Sequence, residues 1–386
     1  MTGLPLALDP EAVLPVKISD PRLDTPAMLV NLDIAEANIA SMAAYARRAG
    51  LRLRPHAKTH KSLAMARRQL AAGAVGLCVA TVSEAEVFAA AAATATAEAE
   101  ADITLAYPVV GARKLQRLAA LCRAAPVTLV ADSAEVIDGY AEVARRAGRA
   151  LDVLVEVDTG MRRAGALPRA VPELAAHVAK APGLEFAGIL THAGHAHDVA
   201  GQLGIEQVAR QEAVIMGDLR ADLERAGHEV RVVSAGSSLT ARYLTAADGI
   251  TEIRPGTYVY NDLRTLACWS CTPEQIAVTM AATVVSTGDG GARVTVDAGS
   301  KTLTTTKDPA YGHGHLAGRP GAALARLSEE HGVLTITGPP SLAVGDLVRV
   351  LPVHVCVWSD LQPEVYGTRH GEIVERIRVD AFRHSL

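Results

Sequence analysis

The sequence is poor in aromatic residues, in cysteine and in charge of one sign. Aromatic residues make up only 3% of the 386 residues, which argues against a protein that binds nucleic acid by stacking its bases. The five cysteines are an odd number at scattered spacings, unlike the disulfide framework of a small secreted domain. The formal net charge of -4 comes without a long run of one sign, so neither a polyanion nor a membrane surface is indicated as a partner.

Long hydrophobic runs are missing as well. No uninterrupted apolar stretch reaches the roughly 20 residues that cross a membrane as a helix. The first 20 residues do not have the charged segment and apolar core of a signal peptide. We therefore expect a cytoplasmic protein that binds neither nucleic acid nor membrane. About half of the residues are apolar, which is enough for one large and one smaller domain.

Residues 26–267 alternate short β-branched runs with helical stretches rich in Ala, Arg and Glu. Such β–α repeats predict a parallel (β/α)8 TIM-type barrel whose active site lies at the C-terminal strand ends. A doubly wound open sheet is the alternative, but no glycine-rich dinucleotide-binding turn follows the first strand. The predicted strands cover residues 27–32, 51–54, 75–79, 103–106, 127–131, 151–157, 184–191, 230–234 and 250–253.

The pattern changes at about residue 268. From there to residue 386, short strand-like runs are separated by Gly and Pro, and no long helical pattern appears. This pattern predicts a separate, C-terminal all-β domain. We expect residues 1–25 to form an N-terminal segment that joins this β-domain.

The most informative stretch is Arg54-Pro-His-Ala-Lys-Thr-His-Lys61, which directly follows a predicted strand. Strand ends of this kind form the catalytic rim of a barrel. Several basic neighbours surround Lys58, and neighbouring positive charge favours its neutral amine, the form that Schiff-base formation requires. A basic surface loop is the alternative.

Together with Gly73-Ala-Val-Gly76 and Val82-Ser-Glu-Ala-Glu-Val87, this motif resembles the D-threonine aldolase and D-serine dehydratase family. These are fold-type III pyridoxal-phosphate (PLP) enzymes and relatives of alanine racemase. The similarity extends from Asp24-Thr-Pro-Ala27 to the last strands. It implies an alanine racemase-like fold in which Lys58 binds PLP, and we count the adjacent His56 among the candidate catalytic residues.

Two arginines are candidate cofactor ligands. The segment Asp158-Thr-Gly-Met-Arg-Arg163 resembles one in alanine racemases, which implies that Arg163 contacts the phenolic oxygen of PLP or the substrate carboxylate. A salt-bridged barrel arginine is the alternative. Arg254 matches by position the alanine racemase arginine that faces the pyridine nitrogen.

Two segments, Val233-Ser-Ala-Gly-Ser-Ser238 and Arg254-Pro-Gly-Thr-Tyr258, stand at the ends of the last two predicted barrel strands. Barrels commonly bind phosphate with the loops at these places, through backbone amides and hydroxyls. An ordinary Gly-Ser turn would explain either segment alone. The predicted phosphate-binding residues are Gly236, Ser237, Ser238, Gly256 and Thr257.

His354-Val-Cys356 lies in residues 350–358, which we predict to be a strand, where residues i and i+2 project to the same face. Imidazole and thiolate together suit Zn²⁺, although a chance pair on a strand is the alternative. The family carries two metal ligands here, as His-x-Cys or, in some aldolases, His-x-Asp. The resemblance thus implies that His354 and Cys356 bind a divalent metal, Zn or else Mn, Mg or Co. The asparagine that usually precedes the histidine is missing.

Three histidines follow the predicted strand 184–191, within Thr191-His-Ala-Gly-His-Ala-His197. His192 is closest to the strand end, while His195 and His197 would share a face if the segment stayed extended. We take His192 and His197 as candidate general acid–base residues. A metal role and a solvated loop are the alternatives.

The resemblance implies a homodimer that acts on a small D-amino acid. Retro-aldol cleavage of a D-3-hydroxy amino acid would give glycine and an aldehyde, while β-elimination would give a keto acid and ammonia. The segments that include Gly76 and Val87 look more like the aldolases, and the His-x-Cys pair is that of the dehydratases. We favour the aldolase. Racemisation would leave the metal pair without a purpose, and the β-domain argues against a non-catalytic PLP-binding protein.

Overall fold

The computed structural model describes residues 6–9, 11–94, 102–199, 201–319, 321–338 and 342–386. The chain forms two compact units. The barrel unit consists of Ala40–Lys58, Ala66–Gly256 and His384–Leu386, and the β unit of Met1–Ile39, Thr59–Met65 and Thr257–Arg383. Within the described ranges, no helix is both long and apolar enough to cross a membrane.

The core of the barrel unit is a parallel sheet, in which eight strands pair among the described residues. A parallel bridge between His56 and Cys78, with the Cys78 N–H donating to the Pro55 carbonyl at 2.8 Å, joins its two edges. The predicted (β/α)8 barrel is therefore confirmed. In spatial order the strands are Arg52–Leu53, Glu252–Ile253, Val232–Ala235, Leu184–Thr191, Leu151–Val157, Val127–Ala131, Ile103–Leu105 and Leu77–Val79.

The helices alternate with these strands because each presents one apolar face. In Ala134–Ala147, for example, buried residues recur every three or four positions, from Val136 and Ile137 to Tyr140 and Val143. That helix ends at Gly148, whose φ of 73° gives the left-handed cap that glycine adopts readily. The α-helices are Leu32–Arg48, Leu63–Ala71, Val82–Thr94, Ala112–Ala124, Ala134–Ala147, Val171–Lys180, Gly201–Arg225, Leu263–Ala267, Ser300–Leu303 and Val355–Leu361.

The β unit contains a ten-stranded sheet among the residues that the structure describes. The long strand Val278–Gly288 pairs with Ala27–Asn31, Arg293–Val296 and Leu347–Pro352, so part of this sheet closes into an antiparallel barrel. In spatial order the strands are Val16–Lys17, Glu372–Arg378, Glu364–Arg369, Ala27–Asn31, Val278–Gly288, Arg293–Val296, Gly332–Ile336, Ala322–Leu327, Gly314–Leu316 and Leu347–Pro352.

The structure corrects the prediction of a first barrel strand at residues 27–32. Ala27–Asn31 instead pairs antiparallel with Val278–Gly288 and parallel with Glu364–Arg369, inside the β unit. Four of its five residues are buried, and a central strand of either sheet has this pattern. Local sequence therefore could not distinguish the two placements. Residues 257–267, predicted to end the barrel domain, also belong to the β unit.

The structure also corrects the strand predicted at residues 350–358. The strand ends at Pro352, His354 is the N-cap residue, and the helix Val355–Leu361 follows. The carboxylate of Asp262 accepts a hydrogen bond from the Val355 N–H at 3.1 Å and so satisfies a donor in the first turn. The i, i+2 argument for a shared strand face does not apply, because Cys356 lies on a helix.

Candidate active site

A cavity of about 420 Å³ lies in the barrel unit, and its lining residues lie at or after the C-terminal ends of the barrel strands. This volume falls in the range typical of small-molecule and cofactor sites. Five predicted site residues line it together: His56, Lys58, Arg163, His192 and Arg254. Other lining residues that the sequence reasoning missed include Tyr107 and Glu156.

Lys58 reaches this cavity on a short 3-10 turn, Ala57–Thr59, which three residues separate from the strand Arg52–Leu53. The turn is anchored by the His56 N–H, which donates to the Pro255 carbonyl at 3.0 Å. Lys61, the second lysine of the motif, instead forms a partly buried ion pair with Asp360 in the β unit. Of these two lysines, Lys58 is therefore the one that the cavity can use for chemistry.

A tight fold-back loop brings Arg163 to the same cavity. The Ala166 N–H donates to the Glu156 carbonyl at 2.8 Å, and the Asp158 N–H donates to the Ala166 carbonyl at 2.9 Å. Gly165 makes this approach possible, because a Cβ there would lie 2.7 Å from the Asp158 nitrogen and its φ is +100°.

Glu156 supplies a carboxylate to this cavity. Its side chain is buried, and this burial raises its pKa despite the opposing effect of Arg254 and Arg163. When ionised, it offsets part of the positive charge that Lys58 and the two arginines bring. A signal existed in the sequence, because Glu156 is a charged residue inside the buried run Leu151–Val157.

His192 is half-buried and lines the cavity. Burial, followed by the positive charges of Lys58, Arg254 and Arg163, holds its pKa well below the usual 6.5. The imidazole is therefore neutral at neutral pH and can accept a proton.

The prediction for His197 is not matched by such a position. His197 is exposed, is not among the residues that line the cavity, and lies on the 3-10 turn Gly194–His197. Because the segment is helical, His195 and His197 do not form the extended pair that the sequence suggested. The ring of His195 packs on Gly160, where a Cβ would lie 3.1 Å from Nε2.

The predicted phosphate loops contain amides that are already hydrogen-bonded. The Gly236 N–H donates to the buried carboxylate of Glu212 at 3.0 Å, and the Gly256 N–H donates to the Ser238 hydroxyl at 3.1 Å. The Ser237 N–H likewise donates to the Thr240 hydroxyl at 2.9 Å. These four residues, Gly236, Ser237, Ser238 and Gly256, are not among those that line the cavity. Thr257 belongs to the β unit.

The predicted metal ligands lie at the start of a helix in the β unit. The Cys356 sulfur is 3.3 Å from the Thr59 hydroxyl and 3.7 Å from the Thr257 hydroxyl, within hydrogen-bond distance of both. Asp262 is buried beside His354, and this burial raises the pKa of its carboxyl group. Hydrogen bonds to the carboxylate, and then the charge of His354, act in the opposite direction. Among the described residues, no cluster of three or more His, Cys, Asp or Glu side chains is placed to bind a metal ion.

Comparison with known proteins identifies relatives over nearly the whole chain. Residues 30–263 match the alanine racemase N-terminal domain, and residues 277–368 match the serine dehydratase domain. D-threo-3-hydroxyaspartate dehydratase from Delftia sp. is 34% identical over 353 residues, which cover 86% of this chain and 91% of that protein. The crystal structure of D-threonine aldolase from Filomicrobium marinum aligns with a TM-score of 0.88 at 31% identity, covering 97% of this chain and 99% of that one.

A third comparison concerns the metal. D-threo-3-hydroxyaspartate dehydratase with a cysteine replaced by alanine, solved in a metal-free form, aligns with a TM-score of 0.83 at 30% identity. It covers 92% of this chain and 97% of that one. The resemblance found in the sequence is thus confirmed at the level of domains, relatives and fold. The chain belongs to the D-threonine aldolase and D-serine dehydratase family of alanine racemase-like PLP enzymes.

Proposed function

We propose that this protein is a PLP- and metal-dependent lyase of D-3-hydroxy amino acids, and that it cleaves the Cα–Cβ bond to give glycine and an aldehyde. One observation carries the proposal: Lys58, His192, Arg163 and Arg254 line one cavity at the strand ends of a family barrel. The cavity provides an amine, a neutral base and two guanidinium groups, which together suit an anionic amino acid.

The residues present fit PLP. Lys58 would hold the aldehyde group of PLP, and the arginines and Glu156 give the cavity a mixed charge for a zwitterionic ligand. When bound, PLP supplies an electron sink for the bonds to Cα of the amino acid. Arg254 would face the ring. We propose that the PLP phosphate would lie near the loops that contain Ser238 and Gly256. Gly236 and Ser237 belong to the first of these loops, and Thr257 follows Gly256 in the second.

The protein's own groups then orient the substrate and move its protons. Arg163 presents a guanidinium fork that suits the substrate carboxylate or a phenolic oxygen. His192 accepts the hydroxyl proton of the substrate at an imidazole nitrogen, so that the electrons of the O–H bond form the carbonyl as Cα–Cβ breaks. His56, beside Lys58 on the cavity wall, is the second candidate for proton transfer, and His197 is the more exposed third.

The residues at the start of the helix Val355–Leu361 fit a divalent metal with two protein ligands. His354 would supply an imidazole nitrogen and Cys356 a thiolate, and this donor set suits Zn²⁺ better than Mg²⁺. The Thr59 and Thr257 hydroxyls lie within hydrogen-bond distance of that sulfur. The metal's chemical part is that of a Lewis acid toward the β-hydroxyl oxygen.

A dehydratase is the second candidate, because His354-x-Cys356 is the ligand pair of the dehydratases and the Delftia relative is a dehydratase. In that reaction the α-proton leaves first and the β-hydroxyl departs as water. The products would be a keto acid and ammonia.

Product analysis separates the two reactions. The PLP-loaded, metal-loaded protein is incubated with D-threonine, with L-threonine as the stereochemical control, and glycine, acetaldehyde, keto acid and ammonia are quantified. We expect glycine and acetaldehyde in equal amounts from the D-isomer only, and a loss of at least about 1,000-fold in Lys58→Ala. Keto acid and ammonia would identify the dehydratase instead. No product of either kind from D-threonine, D-serine or D-3-hydroxyaspartate would overturn the proposal.

We also propose that the protein is a homodimer, as the resemblance implies. Light scattering should then give twice the chain mass of 40.3 kDa. A mass equal to that of one chain would contradict the dimer.

A further inference from the structure

Arg254 stands at the end of a buried chain of hydrogen-bonded side chains in the barrel unit. Its guanidinium donates to the Ser234 hydroxyl, which donates to the Glu252 carboxylate at 2.7 Å. The other oxygen of that carboxylate accepts from Arg54 Nε at 2.8 Å. Ser234, Glu252, Arg54 and Arg254 are at most 6% exposed.

The protons in this chain can be arranged in only one way. A carboxylate accepts hydrogen bonds and donates none, so both Glu252 oxygens must receive protons from Arg54 and Ser234. The single hydroxyl proton of Ser234 is thereby committed, and its oxygen can only accept from Arg254. A second guanidinium nitrogen of Arg254 donates to the Thr191 carbonyl, so two of its three nitrogens are fixed in direction.

Two residues of the sequence motifs do not line the cavity but support this series of hydrogen-bonded side chains. Arg54, the first residue of the basic motif, donates to Glu252 and also forms an ion pair with Asp102 at 2.7 Å. Gly76 leaves the room that this guanidinium needs, because a Cβ there would lie 2.4 Å from Arg54 Nη1. Arg54, at the end of the hydrogen-bonded series away from Arg254, is therefore held in a fixed orientation.

We propose that Ser234 and Glu252 are positioning residues for the cofactor: they set the direction of the Arg254 guanidinium at the cavity wall before PLP binds. This inference rests on the proposed function, in which Arg254 faces the PLP ring. Groups that are already oriented need no reorganisation when charge changes on the bound molecule. A freely rotating arginine would lose entropy on binding instead.

The test compares Ser234→Ala with Ser41→Ala as a matched control. Ser41 also accepts a hydrogen bond from an arginine of the barrel unit, Arg242 at 3.2 Å. Unlike Arg254, Arg242 does not line the cavity, and neither does Ser41. The Kd for PLP and the visible absorbance maximum of the loaded protein are measured for each. We expect Ser234→Ala to raise the Kd at least about fivefold and to shift the maximum, while Ser41→Ala changes neither. Equal behaviour of the two variants would overturn the inference.

A second variant covers the case in which Ser234→Ala does not fold. Glu252→Gln keeps the volume, but the amide has only one acceptor oxygen for the two donors Arg54 and Ser234. Its N–H2 group would turn the Ser234 proton toward Arg254, so the same rise in Kd is expected. Ser234→Thr keeps the hydroxyl and should bind PLP within about twofold of wild type. If wild type itself binds no PLP, the proposed function fails. If wild type binds PLP and Ser234→Ala and Glu252→Gln bind it equally well, the positioning role fails.

Discussion

At the scale of residues, the charge state of His192 decides whether this imidazole can act as a base at neutral pH. Burial and three nearby cations hold its pKa well below 6.5 in the folded protein. In the unfolded chain the imidazole titrates near its ordinary value. His192 therefore links proton binding to folding, and this link is measurable without any cofactor or substrate.

The sign of this linkage follows from the lowered pKa. Above pH 6.5 both states hold a neutral His192, so its full contribution to stability is present. As the pH falls below 6.5, the unfolded chain binds a proton that the folded protein does not, and stability is lost at up to about 1.4 kcal/mol per pH unit. Chemical denaturation of the apoprotein at pH 7 and pH 5 should show a smaller loss in His192→Asn and His192→Gln. An unchanged loss in both variants would show that His192 titrates normally.

Several residues of the site were predictable because they are contiguous in sequence with the ends of strands. His192 and Arg254 directly follow barrel strands, and Lys58 lies five positions after Leu53, where another strand ends. The strand ends of a barrel converge whatever the side chains are. Ser234 and Glu252 were not predictable, because their role depends on a contact between neighbouring strands. His197 does not line the cavity, although it lies close to a strand end in sequence, because the chain forms the 3-10 turn Gly194–His197 there.

At the scale of elements, the strand Leu184–Thr191 contains a glycine at a position where no larger residue fits the barrel. Gly188 has a φ of +142°, and a Cβ there would lie 1.9 Å from the Val232 carbonyl oxygen of the next strand. The register of this strand against Leu151–Val157 also shifts between Val153 and Leu154. The irregularity precedes His192 by only a few residues and so helps to set how the strand reaches the cavity.

Gly188→Ala should therefore lower the free energy of unfolding by about 3 kcal/mol or more. The matched control is Gly139→Ala in the helix Ala134–Ala147, where the nearest atom to a Cβ would be Leu115 Cδ1 at an ordinary 3.6 Å. There the change should stabilise the protein by about 0.5–1 kcal/mol, because alanine is the better helix former. Thermal unfolding of both variants measures the contrast. Similar small effects at the two positions would contradict the strand geometry.

Most of the barrel strands were predictable from β-branched runs between amphipathic helices, to within a few residues. The helix Val355–Leu361 was not, because its sequence is as apolar and β-branched as a strand. Its first turn is stabilised by the Asp262 carboxylate, which lies 93 positions away in sequence and accepts a hydrogen bond from the Val355 N–H. A cap supplied from so far along the chain leaves no local signal.

At the scale of the whole molecule, the chain combines two units with different chemistry. The barrel unit carries Lys58 and its cavity, and the β unit carries His354 and Cys356. The alanine racemase and serine dehydratase domain matches follow the same broad division. The presence of two domains was predictable from the two sequence patterns, the β–α repeats and the short strand-like runs. The domain boundaries were not predictable, since Ala27–Asn31 and residues 257–267 belong to the β unit.

The two kinds of chemistry should be separable by chelation. Removal of metal should lower the lyase activity by at least about 100-fold, because the Lewis acid is lost, while the visible absorbance of bound PLP remains. His354→Ala and Cys356→Ala should lose the bound metal in elemental analysis, and Cys268→Ala, a half-buried cysteine of the same β unit, should retain it. Full activity after exhaustive chelation would rule out the metal.

The proposed function depends most directly on a covalent bond between PLP and Lys58. The PLP-loaded protein is reduced with borohydride, digested, and sequenced by tandem mass spectrometry. We predict the reduced pyridoxyl-phosphate mass on Lys58 and none on Lys61, whose amine is paired with Asp360. The mass on another lysine, or on no lysine at all, would contradict the account.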